Sequence, residues 1–233
     1  MSVNDLVLVQ GMDDTKAALR RYRRDPRPVL VPWLTLSLAI ATLLLVAVWL
    51  VAVVSTPDIA PTPLNGVAYS PGLGDYGHIL YRNSLVLALH AMACVAGFMA
   101  GSSIPLSAAN RSGVDRWVHE KAGSAAIAFV AVATVFSLTT QAYFIGSLAS
   151  TISAQLHISP GLLMVGLLPH AVPELVALFL PLAAWLIASR QKRWEDLLAA
   201  TAVCVVLAFP VLMATAAIEL WVSPDVLRLL AGA

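Results

Sequence analysis

The stretch Leu167-Leu168-Pro169-His170-Ala171-Val172-Pro173-Glu174-Leu175 decides how the chain reads. It sets an imidazole, a carboxylate and two prolines inside a long apolar tract. Hydrocarbon offers no hydrogen bonds, so ionisable side chains at membrane depth face protein or a wet cavity. His170 and Glu174 are four residues apart and share one face of a helix. Paired prolines fit best at a helix start, where their missing N–H groups would be unpaired anyway. The pattern predicts a transmembrane helix beginning at Pro169, with His170 and Glu174 in its first two turns. The helix dipole there favours an ionised Glu174.

Composition extends this reading to the whole chain. Hydrophobic residues make up 59% of the 233 and charged residues only 12%, against about 25% in soluble domains. That excludes an ordinary soluble enzyme, and no nucleic-acid partner is expected. Cys94 and Cys204 both lie in apolar runs, without metal-type or disulfide spacing. The N-terminus lacks the layout of a cleavable signal, so the first apolar run is expected to stay as an anchor.

The expected architecture is an all-α polytopic bundle of five spans, at residues 29–54, 79–101, 124–148, 169–189 and 197–222. Residues 1–28 form a basic N-terminal segment and 29–233 a single membrane domain. Each span is long enough to cross ~30 Å of hydrocarbon at ~1.5 Å per residue. Residues 160–168 are apolar but too short to span, and read as a short re-entrant or interfacial piece before the fourth span. Pro181 and Pro210 are expected to kink their helices. Lys and Arg set the orientation. Six lie in residues 1–28, three (Arg111, Arg116, Lys121) between spans two and three, and three (Arg190, Lys192, Arg193) between spans four and five. Only Arg82 and Arg228 lie on the other side. The positive-inside rule then places the N-terminus in the cytoplasm and the C-terminus outside. The arginine run at 20–27 serves as a topology signal or as a contact with anionic lipid or a partner.

This topology brings the unusual residues to one depth. Asn83, His170, Glu174 and Glu219 all fall near the outer ends of their spans and are expected to form one interhelical polar cluster. Pro169 and Pro173 shape it, and Gln141 lies inside the third span. On the second span Asn83, His90 and Gly97 recur every seven residues, with Leu87, Cys94 and Gly101 on the same face. Gly97-x-x-x-Gly101 permits close helix approach. The stripe reads as a packing face with a buried polar pair, or as one wall of a functional pocket.

These residues resemble the stage II sporulation protein M family of bacterial membrane proteins. The resemblance rests on Leu167-Leu168-Pro169-His170 followed by Glu174-Leu175, and on Ala217-Ile218-Glu219-Leu220-Trp221-Val222-Ser223-Pro224 near the end. Arg82-Asn83 with the Gly-bearing helix behind it is similar to the family's early asparagine motif. Ala171 and Pro173 stand where the family usually has glycine and an apolar residue, as in a divergent member. The resemblance implies a protein of the bacterial cytoplasmic membrane that recruits or stabilises other envelope proteins. It also implies, for some similar proteins, association with ATP-driven transport.

Three functions follow. The first is a non-enzymatic component of an envelope complex, with the polar cluster as lock or docking site. The sequence carries no phosphate loop and no Gly-x-Ser-x-Gly elbow. The second is a membrane subunit of an ion or solute transporter, or of an ATP-driven peptide transporter, working with an ATPase or as a homo-oligomer. Broken helices and ionisable groups at depth suit such a site. The third is a metal-dependent intramembrane enzyme with His170, Glu174 and Glu219 as ligands. It is the least favoured, because His-Glu-x-x-His is absent, so no cofactor is expected.

Overall fold

A computed structural model describes residues 7–58, 71–103 and 113–232, with side chains at 11–58, 71–101 and 128–232. Seven α-helices account for the described residues: α1 (Val7–Arg24), α2 (Arg27–Val54), α3 (Leu73–Phe98), α4 (Gly113–Gln155), α5 (Pro160–Gln191), α6 (Leu197–Ala217) and α7 (Ser223–Ala231). A π-turn, Met99–Ser103, extends α3, and another, Ile218–Val222, joins α6 to α7. No strand occurs among the described residues. Five helical segments are long and apolar enough to cross a membrane: Arg27–Val54, Leu73–Gly101, Ala128–Gln155, Pro160–Gln191 and Trp194–Ala231. The chain is an all-α, multi-pass integral membrane protein. The side chains of Arg111, Arg116 and Lys121 lie outside those described.

Three boundaries depart from the sequence reading, and each has a physical cause. The fourth spanning helix starts at Pro160 instead of Pro169, and no separate re-entrant piece precedes it. Ser159 caps it, its Oγ accepting from the Leu162 N–H at 3.2 Å, and Pro160 takes the first helical position. Each of Pro169 and Pro173 deletes one hydrogen bond inside α5. Ending the helix there would orphan several groups in hydrocarbon, so continuity costs less. His170 and Glu174 therefore lie in the third turn and beyond, out of reach of the helix dipole, whose effect fades within the first turn. The third span continues to Gln155, past the expected end at 148. The short tail after 222 is the helix α7, closed by Gly232 with a left-handed φ of 74°.

Chain contacts divide the protein into two compact units. The first comprises Met1–Ser37, Val86–Thr134 and Leu178–Ala208. Its core gathers Ala18 and Tyr22 of α1, Trp33 of α2, Leu180 and Ala184 of α5, and Ala199, Ala200 and Cys204 of α6. The Tyr22 and Trp33 rings meet edge to face at 5.7 Å. The close approach predicted for Gly97 and Gly101 is filled by indoles. A Cβ on Gly97 would stand 2.6 Å from Trp185 Nε1, and one on Gly101 would stand 2.1 Å from Trp194 Cγ. Cys94 Sγ donates to the Pro181 carbonyl at 3.1 Å.

The second unit comprises Leu38–Leu85, Val135–Ala177 and Phe209–Ala233. Its apolar core holds Ala52, Ala149, Leu163 and Leu227. Gly166 of α5 lets Leu227 of α7 lie close, since a Cβ there would be 2.8 Å from Leu227 Cδ2. Hydroxyls tie the end of α2 to α4. Ser150 Oγ donates to the Ser55 carbonyl at 3.0 Å, and Thr151 Oγ1 accepts from the Asp58 N–H at 3.0 Å.

Candidate functional site: a polar neighbourhood of the second unit

Asn83 of α3, Glu174 of α5, Thr215 of α6 and Glu219 of the following π-turn all belong to the second unit. The Glu174 carboxyl has Thr215 and Asn83 within side-chain reach and feels the charge of Glu219. Arg82, exposed on α3, acts electrostatically on Glu219. The structure thus brings Asn83, Glu174 and Glu219 into one neighbourhood. It adds Thr215, which the sequence reading missed because a lone hydroxyl in an apolar helix usually bonds its own backbone. Thr215 Oγ1 does so here, donating to the Leu212 carbonyl at 3.2 Å.

The neighbourhood is incompletely satisfied. Glu174 Oε2 and Asn83 Nδ2 are both shielded, and neither completes a hydrogen bond. The two side chains lie within reach of each other. A shielded polar atom without a partner costs about 1–3 kcal/mol, more when charged. The helical reason for their placement is local. The π-turn at Ile218–Val222 shifts the helical register just where Glu219 projects, and such turns cluster at functional sites.

His170 has a different partner from the one expected. Its Nδ1 lies 2.7 Å from Ser223 Oγ, both residues buried. Ser223 opens α7 directly after the π-turn. The ring therefore joins α5 to α7 through a hydroxyl. Among the described residues, no three His, Cys, Asp or Glu side chains converge as a metal set.

The secondary residues fall elsewhere. His90, in the first unit, is buried edge-on against Phe179 at 5.5 Å, with Nδ1 unpartnered. With Leu87, Cys94 and Gly97 it forms the buried face of α3. Gln141 Nε2 donates to Ser137 Oγ at 3.0 Å within α4. Pro169 is exposed and Pro173 half-buried on α5. A separate cavity of about 80 Å³ lies in the first unit, between Tyr22, Trp33, Ile187, Arg193 and Asp196. The chain matches no family model, no curated protein and no solved structure.

Proposed function

We propose that this chain is a non-enzymatic subunit of a bacterial envelope complex, working through the Asn83–Glu174–Glu219 neighbourhood. The supporting observation is the unmated pair, Glu174 Oε2 and Asn83 Nδ2, shielded in a protein whose surroundings are hydrocarbon. Lipid tails cannot satisfy these atoms, so a group admitted or rearranged when a partner docks completes them. The likeness of Pro169-His170 with Glu174, and of Glu219 through Pro224, to the stage II sporulation protein M family supports the same reading. The chain sits in the cytoplasmic membrane with its N-terminus inside and its C-terminus outside, as the twelve-to-two division of Lys and Arg favours. Reporter fusions test this orientation: a fluorescent protein should mature at the N-terminus, and a periplasmic phosphatase should be active only at the C-terminus. The reverse pattern would contradict it.

The test of function is a mild-detergent purification of the tagged protein, with co-purifying proteins identified by mass spectrometry. Recovery of cell-wall or division enzymes is the expected result. A protein that emerges alone contradicts the reading.

One observation favours a second reading, a membrane subunit of an ion or solute transporter. Thr215 and Asn83 place neutral polar groups beside two carboxyls, a donor set suited to a proton or a hard cation. Co-purification of an ATPase would support it. Proteoliposome flux unchanged by Glu174→Ala would remove it.

A further inference from the structure

We propose that α1 is an interfacial helix whose outward arginines, Arg20, Arg23 and Arg24 with Arg27 beyond them, bind the phosphate headgroups of anionic phospholipids. The inference rests on α1 alone and stands apart from the polar neighbourhood of the second unit.

Three observations define the placement of α1. First, it has distinct faces. Gly11, Ala18 and Tyr22 are buried, and a Cβ on Gly11 would meet Phe98 Cζ at 3.0 Å. Met12 and Leu19 form an exposed apolar edge. Lys16, Arg20, Arg23 and Arg24 lie on the remaining side, all exposed. An interfacial helix needs this division: protein on one side, acyl chains along an edge, headgroups at the charged face.

Second, α1 cannot leave the membrane surface. Only Asp25 and Pro26 separate it from α2, whose spanning segment begins at Arg27. Its own side chains pin it as well. Arg21 forms an ion pair with Asp196, which also takes Arg193, and Asp196 is almost fully buried. Asp196 lies in the short turn that opens the last spanning segment. The basic run is thus held at the polar edge of two spans.

Third, the arginines are divided between two tasks. Arg21 and Arg193 share the single carboxylate of Asp196 and are turned toward it. Arg20, Arg23, Arg24 and Arg27 have no ion-pair partner among the described residues, and Asp25 is the one acid in the run 20–27. A topology signal needs only the charges. Three guanidinium groups on the side of α1 away from its buried face, unpaired among the described residues, with that of Arg27 at the start of α2, also offer phosphate forks at headgroup level. Charge complementarity selects the anionic lipid of the leaflet against which α1 rests.

The test uses the full-length protein reconstituted in bilayers with spin-labelled phosphatidylglycerol or phosphatidylcholine, reading the motionally restricted lipid. The wild type should select phosphatidylglycerol several-fold at low salt. The preference should fade near 1 M salt, where the screening length is about 3 Å. Combining Arg20→Gln, Arg23→Gln, Arg24→Gln and Arg27→Gln should lower that selection by about half or more, since each basic residue near an anionic surface contributes on its own. The matching four Arg→Lys substitutions should retain most of it, and serve as the folding control. Absence of selection in the wild type, or selection that the Gln variant keeps, would overturn the proposal. So would a wild type without lipid preference whose arginines instead hold an acidic protein.

Discussion

Glu174 and Asn83 set a carboxyl and an amide side by side within apolar tracts. Each has a shielded polar atom without a partner, in a setting where neither water nor lipid readily supplies one. Their ionisable or amide character inside apolar tracts made them legible in the sequence, as it did His170 and Glu219. Their partners were not legible. Ser223 and Thr215 are ordinary hydroxyls, and nothing in a one-dimensional pattern shows that one would meet His170 and the other Glu174. A double-mutant cycle on Asn83→Ala and Glu174→Ala should give a coupling above about 0.5 kcal/mol in unfolding stability. Strict additivity would show that the two do not interact. Tyr22 supplies a second prediction at this scale. Burial, reinforced by Asp196 beside it, pushes its phenol above the ordinary tyrosine value. The neutral phenol is thus favoured in the folded state. Its contribution is complete below the unfolded value of about 10 and is lost as pH rises beyond it. The melting temperature of the wild type should therefore fall more steeply than that of Tyr22→Phe above pH ~10. Parallel curves would contradict this.

At the scale of elements, the five apolar runs were readable because hydropathy alone marks a span, but their ends were not. The start of α5 was hidden by the prolines at 169 and 173, which look like a helix boundary. The true boundary signal was Ser159-Pro160, an N-cap followed by proline. The end of the last span was hidden because Glu219 and Ser223-Pro224 look like an exit, whereas the π-turn carries the chain on into α7. The glycines of α3 were read as contact points, and the structure gives them specific occupants. A Cβ on Gly101 would lie 2.1 Å and 2.2 Å from Trp194 Cγ and Cδ2. Gly101→Ala should cost about 1–3 kcal/mol through overpacking. Gly74→Ala, on the same helix with nothing within 4 Å, should be neutral or stabilise by up to about 1 kcal/mol. Melting temperatures in detergent check both, and equal shifts would contradict the packing account.

The whole molecule combines a membrane-spanning framework with large apolar surfaces. Only 6% of the most apolar window of α4 is buried, and Phe129, Val132 and Phe136 are exposed there. Lipid can cover such a surface, and so can a partner helix. The membrane character was legible because composition alone forces it. What covers α4 was not legible, because the covering groups lie outside this sequence. The resemblance of the motifs around His170, Glu174 and Glu219 supplies a direction, and the unmated atoms supply a place. The direct measurement is quantitative co-purification with Glu174→Gln as bait beside the wild type, at matched expression and melting temperature. The account predicts that the wild type retains its envelope partners and that the variant loses most of them. Equal recovery by both would contradict the claim that this neighbourhood is where the protein does its work.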